Sequence, residues 1–551
     1  MKKRRQSGSS DLRTNPIPMN VHRYSNLPLI RTCAASVWNV EHVQPFFPPI
    51  ECLFKSENLD FANEYGLKFK HELSYISPEG KIRTSSSNDL QDVHVKKTML
   101  LSPYKWMQGD YGSSLGLPTT TEQASAIHAK LQNPNNAAYV GSIIASVLSE
   151  SGCLHFPKVY GVFTGTAKNH MINISDDYED LSRRSWFSQN IGKTFELKLN
   201  EHAKNSSEFS HTRTARAKLC LGEEILIDEV QELECEHIEN PNTVQLTEVM
   251  KGDMEEDNKE DSESDVSTSY MFQIKSCDCD DEEREIIDEE EFGEEDVPFA
   301  WAVFSNVPVQ LTVMEKCDGL LFDLIMRNPD KDMHTAWLSQ IVLALAYAQR
   351  NFGFVHNDLH ANNVMYARTD KEFLYYNFAG VLYKVPTYGY LIKIIDFERG
   401  IASIKLTGMK ESKLFMSDHF SINEEAGGQY NYPPFYVQKY PEIKPNSSFD
   451  LARLATSIFW DMFPSGPNHE EYKRNPVFLC FVKWLTAEDG SSILFGKEDP
   501  HHDRYHGFDL YKAIARYCKD TAVPRKELNN IKELYKTTSI PLGEYVLTID
   551  P

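Results

Sequence analysis

One segment, FVHNDLHANNVMY from Phe354 to Tyr366, constrains this chain more than any other. It sets a His, an Asp two residues on, and an Asn five beyond that Asp among apolar residues. Phosphoryl transfer needs these groups: a carboxylate to accept a proton from a hydroxyl, and an amide oxygen to meet a phosphate-bound metal. Further on, LIKIIDFERG is an apolar strand ending in Asp396, where a second metal-binding carboxylate is expected. Together and in this order, the two pieces point to an ATP-dependent phosphotransferase.

The bulk properties fit a folded body carrying one unusual insert. At 551 residues the chain can form several domains, or one two-lobed domain with large insertions. Its net charge of −23 is local: residues 222–296 hold 30 acidic and 4 basic residues, a net of −26. The remainder has 50 acidic and 53 basic residues, a net of +3, so the folded part is close to neutral. The acidic segment offers too little apolar surface to offset ordering entropy and is expected to be disordered. It could steer a basic partner or be an inert solvated loop. No direct nucleic-acid partner is expected.

Ten scattered cysteines without a CxxC pair argue against a disulfide framework or zinc module and for reduced intracellular thiols. Cys277 and Cys279 form a lone CxC. No stretch approaches ~20 consecutive apolar residues, so no membrane span is expected. The start, MKKRRQSGSS, is basic without a following apolar core, unlike a signal peptide. It reads as a solvated terminus or a nuclear-import signal, and the expected location is intracellular, cytoplasmic or nuclear.

Residues 1–60, rich in Pro, Asn and Ser, are expected to form an extension with little regular structure, docked through VQPFFPPIECLF. The span 61–315 is expected to form a small β-rich lobe and 316–551 a larger helical one, together a bilobal α+β fold. In LKFKHELSYISPEGKIR two strands flank a turn at Pro78, Glu79 and Gly80. DVHVKK alternates as a strand, helices follow at TTTEQASAIHAKLQ and NAAYVGSIIASVLSES, and HFPKVYGVF is a further strand. VPVQLTVMEKCDG is a buried strand leading into a turn, then LLFDLIM and the strongly periodic helix TAWLSQIVLALAYAQRN. After the catalytic loop come a hairpin before Asp396, a polar loop to about Asn446, the helix FDLARLATSIFW and a mixed helical C-terminus.

In chemical terms Asp358 is the expected base, and Asn363 and Asp396 the expected Mg2+ ligands, since this hard cation keeps waters and needs few protein oxygens. His356 is expected to hold the loop through backbone hydrogen bonds. DVHVKK makes Lys96 the first choice for pairing with ATP phosphates. Lys130, after the glycines 109, 112 and 116, is the rival, though those lack G-x-G-x-x-G spacing. The glutamate that should orient the lysine is expected near Gly141, which has no side chain, so Glu122 or Glu150 would have to substitute. VMEKCDG resembles an interlobe hinge in which Met314 guards the inner pocket and the backbones of Glu315 and Cys317 face adenine.

At these residues the sequence resembles the eukaryotic protein-kinase superfamily, and within it the haspin-like and large-DNA-virus kinases. HNDLHANNV, the hairpin with VPTYG before LIKIIDF, and FDLARLATSIF carry the resemblance, over roughly Lys68 to Trp460. It implies Asp358 as proton acceptor, Asn363 and Asp396 as metal ligands, Lys96 as the ATP lysine, and Asp450 as a buried anchor for the catalytic loop. The departures are Asn357 in place of an Arg, His360 in place of the usual Lys, Glu398 in place of a Gly, and no A-P-E. The implied activity is serine/threonine protein phosphorylation with ATP and Mg2+ on a protein substrate. H-N-D-L with I-D-F-E also resembles choline and aminoglycoside kinases, and a pseudokinase scaffold is a third alternative.

Overall fold

The computed structural model describes residues 16–54, 63–111, 116–119, 125–200, 299–496, 503–505 and 507–549. The acidic segment 222–296 and Glu122 lie outside the described residues. What is described is a mixed α+β architecture with several separate sheets and a set of packed helices.

The main sheet is antiparallel and follows directly from the alternating and apolar runs. Its order is Val40–Gln44, Val159–Asn173, Phe299–Glu315 and Val93–Met99, with Glu196–Asn200 also paired to Phe299–Glu315. In this register Lys96 lies opposite Thr312 and His94 opposite Met314. Leu73–Ile76, Ile82–Thr84 and Ser87–Gln91 form a separate meander, turning at Gly80 with φ +83°. One apolar cluster, including Trp38, Phe163, Val309 and Val313, packs against the sheet.

A second cluster runs through the helices. Ala137–Glu150 is apolar almost all round, and its residues from Ala137 to Leu148 are buried, as expected of a helix enclosed on every side. Asn136 caps it by accepting from the Ala138 amide at 3.0 Å. Lys331–Phe352 is capped by Asp330 and stopped by Gly353, whose φ of 56° closes the helix in the left-handed region. This stop turns the chain into the HNDLHANN segment. Phe449–Met462 packs in the same core, with Pro476–Trp484, Phe508–Tyr517 and Pro524–Tyr535 beyond it. No helix among the described residues is long and apolar enough to cross a membrane.

Two stretches are more ordered than the sequence suggested. The extension is not short of regular structure between residues 16 and 54: it forms Asn20–Arg23, Leu27–Cys33, Val40–Gln44 and Pro49–Leu53. Its apolar patch accounts for this, because Phe46, Phe47 and Ile50 are each no more than 1% exposed. Each such burial contributes about 1.5–3 kcal/mol. After Asp396, the expected polar loop contains a hairpin, Ile401–Ile404 against Lys413–Met416. The extension reaches it: Ile17 donates to the Lys405 carbonyl at 2.9 Å and accepts from the Thr407 amide at 3.0 Å.

Candidate active site

The loop after Lys331–Phe352 is held from below by a carboxylate. Asp450, fully buried near the start of Phe449–Met462, accepts the His356 amide at 3.0 and 3.1 Å and the Asn357 amide at 3.0 Å. Burial pushes its carboxyl above the usual range, against the lowering effect of His356 and of the two amides. His356 is also a clamp. Its Nδ1 accepts from the Asp358 amide at 3.3 Å, which leaves Nε2–H to donate to the Ile395 carbonyl at 2.8 Å. One imidazole thus ties the loop to the strand Tyr390–Ile394 and its continuation.

Asp358 projects into a polar setting assembled from three segments. Tyr511, on Phe508–Tyr517, donates its hydroxyl to Asp358 Oδ1 at 2.7 Å. His360 Nε2 lies 3.9 Å from the other oxygen. The Arg453 and Arg399 guanidinium groups sit 4.9 and 5.6 Å from the Tyr511 ring centre. Burial raises the Asp358 carboxyl, but Arg399, His360, Arg453 and the tyrosine hydroxyl outweigh it and hold the group below its ordinary value. Asp358 is therefore ionised at neutral pH. Burial drives His360 down to about 4, so this imidazole is neutral there.

Asn363 comes to Asp396 through the backbone, since its carbonyl accepts from the Ile395 amide at 3.0 Å. Its side-chain nitrogen donates to the Asp358 carbonyl at 2.8 Å, leaving the side-chain oxygen as the group able to meet a cation. Asp396 itself has φ 66°, and its Oδ1 accepts from Lys96 Nζ at 2.7 Å across 300 residues of sequence. Burial raises its carboxyl, but the Lys96 charge and hydrogen bond win, bringing it to about 2. The same ammonium lies 2.6 Å from Glu398 Oε1, so Lys96 rests between two carboxylates and is held well above the ordinary lysine range despite its burial.

A cavity opens beside this cluster, lined by Lys96, Asp396, Glu398, Thr312 and Met314 among others. Met314 is thus placed on its wall. The Glu315 amide is spent on the Lys158 carbonyl at 2.8 Å, and its carboxylate accepts from Lys393 at 2.9 Å. Cys317 follows, with burial pushing its thiol up to about 12. Lys130 is elsewhere, 5.4 Å over the Tyr111 ring, and Glu150 accepts from the Lys70 amide at 3.3 Å.

Four contributors were not foreseen: Tyr511, Arg453, Arg399 and Glu398. Tyr511 comes from a helix whose sequence gives no sign of an active-site role, and Arg453 shares the helix expected to anchor the loop through Asp450 but was not itself singled out. Glu398 was visible only as a departure from D-F-G, and its reach to Lys96 depends on tertiary geometry.

Sequence relatives are partial. A stretch of 160 residues, 24% of this chain, is 26% identical to "Putative serine/threonine-protein kinase R400" of Acanthamoeba polyphaga mimivirus and covers 34% of it. Another of 189 residues, 32% of the chain, is 39% identical to "Uncharacterized protein 098R" of Invertebrate iridescent virus 6, covering 28% of it. A third of 62 residues is 34% identical to "Uncharacterized protein ZK177.2" of Caenorhabditis elegans, over 11% of this chain and 21% of that one. The chain therefore spans about a third or less of each of these relatives. No family model matches it.

Proposed function

We propose that the chain is an ATP-dependent serine/threonine protein kinase of divergent, haspin-like or large-DNA-virus type, acting inside the cell. The observation that carries this reading is the meeting of Lys96 with Asp396 at 2.7 Å, beside the loop bearing Asp358 and Asn363. A lysine for the phosphates, two oxygen ligands for a metal and an ionised base are the set phosphoryl transfer requires. The similarity to a protein named as a serine/threonine kinase supports the same class.

On this reading the sheet carrying Lys96 is the smaller lobe, the helical part from residue 316 the larger, and Met314 to Cys317 the connection at which adenine binds. Because the Glu315 amide is already engaged, this residue would meet a base through its carbonyl. Asp358 orients the acceptor hydroxyl and takes its proton. Asn363 and Asp396 would hold Mg2+. The donor set fits a hard cation, because Asn363 has its side-chain oxygen to offer and Asp396 is a carboxylate. Mg2+ uses one or two carboxylates together with substrate phosphates. Bound there, it would neutralise charge developing on the transferred phosphate. The acceptor is a protein hydroxyl, and the acidic segment would draw a basic partner.

The test is transfer from radiolabelled ATP with Mg2+, offering generic proteins in one arm and choline or aminoglycosides in the other. Label is expected in protein and lost in Asp358→Asn. Label confined to the small alcohols would reject the protein-kinase reading.

A further inference from the structure

The helix Ala137–Glu150 presents no carboxylate to Lys96. Instead it has Gly141, a residue that costs a helix interior about 1 kcal/mol relative to alanine. The reason for glycine is on the facing segment. A Cβ at position 141 would lie 3.0 Å from Glu398 Cγ and 3.3 Å from the Glu398 amide nitrogen. The helix is cut back at the point where Glu398 enters.

Glu398 is then fixed from two further sides. Its Oε1 lies 2.6 Å from Lys96 Nζ and accepts from the Thr98 hydroxyl at 2.6 Å. Thr98 is two residues from Lys96 on the same strand, so both contacts come from one face of Val93–Met99. The helix behind is anchored too. The Ala137 amide donates to Asp418 at 2.9 Å, Asn136 donates to the Leu100 carbonyl at 2.6 Å, and Ser142 meets Thr312 at 2.8 Å.

We infer that Glu398 is the positioning residue for Lys96, replacing a helix-borne carboxylate, with Gly141 as its receptor; this rests on the phosphotransferase reading above. Two carboxylates at one ammonium have separate tasks. Asp396 is needed for the metal, and Glu398 keeps Lys96 in place once Asp396 is engaged. Because the two acids are two residues apart, ordering one segment sets both the metal ligand and the lysine. No swing of the Ala137–Glu150 helix is required to complete the site.

The experiment uses the full chain with Mg2+, radiolabelled ATP and a generic protein acceptor, with mant-ATP fluorescence for binding. Displacing a catalytic group by about 1 Å costs about 100-fold, so Glu398→Gln is expected to lower kcat about 100-fold. Its mant-ATP Kd should stay within about threefold of the parent, since the loss falls on positioning in the transition state. Thr98→Val should lower kcat by a smaller factor. Gly141→Glu combined with Glu398→Gly should regain at least about tenfold over Glu398→Gly alone.

A Glu398→Gln variant retaining kcat while Lys96→Met is inactive would overturn the inference and leave the kinase reading standing. Loss of near-UV circular dichroism in Glu398→Gln would assign Glu398 a structural role and overturn it equally. If the double variant does not fold, Glu398→Gln and Thr98→Val decide. Transfer at the parental rate by both Lys96→Met and Asp358→Asn, or none by the parent, would remove the phosphotransferase reading and the inference with it.

Discussion

Replacing Asp450 with alanine tests the claim that one buried carboxylate holds the loop that carries Asp358. The side chain is fully buried, and its oxygens accept the His356 and Asn357 amides at 3.0–3.1 Å. Alanine leaves two buried donors without partners, and each orphaned donor costs about 1–3 kcal/mol. Against this, a carboxylate whose burial disfavours its charge is removed, which returns part of the cost. We expect a net local loss of about 3 kcal/mol. Because the chain has more than one apolar cluster, a single melting temperature would blur that loss. Native-state hydrogen exchange reads it where it occurs. About 3 kcal/mol corresponds to roughly 100-fold less protection at the His356 and Asn357 amides, with sheet amides near Val309 unchanged. Asp450→Asn retains one acceptor oxygen and should fall between. Parental protection at both amides in the alanine variant would show that the loop is held by something else.

His155 is 2% exposed and bonded to the Ile392 carbonyl and the Tyr376 hydroxyl, and burial takes it from 6.5 to about 4. The folded chain resists protonating it, so stability is complete above pH 6.5 and falls as pH drops toward 4. That gap corresponds to about 3 kcal/mol, and urea midpoints of His155→Gln should decline less over this range than the parent's. Lys96→Met should abolish phosphate transfer while Lys130→Met retains it; the opposite result would exchange their roles. Phe47→Ala, at a site with 0% exposure, should cost about 3–5 kcal/mol, and a change below 1 kcal/mol in denaturant titration would mean the extension is not part of the core. Tyr511→Phe removes a charge-assisted bond to Asp358 and should lower kcat with little change in mant-ATP Kd; unchanged kcat would make Tyr511 purely structural.

Local periodicity made the elements legible. The alternation in DVHVKK, the all-round apolar NAAYVGSIIASVL and the long helix before the loop each correspond to an element near its expected bounds. Loop chemistry was legible for a related reason: Asp358 and Asn363 lie within one turn and a short 3-10 segment, so their proximity is local. Contacts set by tertiary packing were not legible. Nothing in FDLYKAIARY tells that Tyr511 will meet Asp358, because that contact spans 153 residues. Glu398 and Gly141 each stood out as departures, but only the approach of the helix to the segment after Asp396 joins them into one feature. The extension was misjudged because its Pro and Asn content masked Phe46, Phe47 and Ile50, which fold by packing on the body rather than by propensity.

The residue at 357 explains itself once its surroundings are counted. It is fully buried with φ 65°, a conformation asparagine tolerates better than most side chains. Its amide nitrogen donates to the Arg399 carbonyl at 2.9 Å, and its oxygen accepts from the Tyr430 hydroxyl at 2.6 Å. An arginine here would bring a charge into a closed site whose nearby carboxylate, Asp450, is already committed to two amides. The neutral amide instead ties the loop to the segment carrying Asp396 and Glu398 without a phosphate or a counter-ion. Asp396 is the second Asx residue at positive φ in the same site, and it is half-buried. Its strain is sustained by Lys96 on one side and by the Ile395–Asn363 bond on the other. Both outliers thus sit where the loop and the segment carrying Asp396 are joined, and the joint is made by hydrogen bonds that ordinary folding supplies.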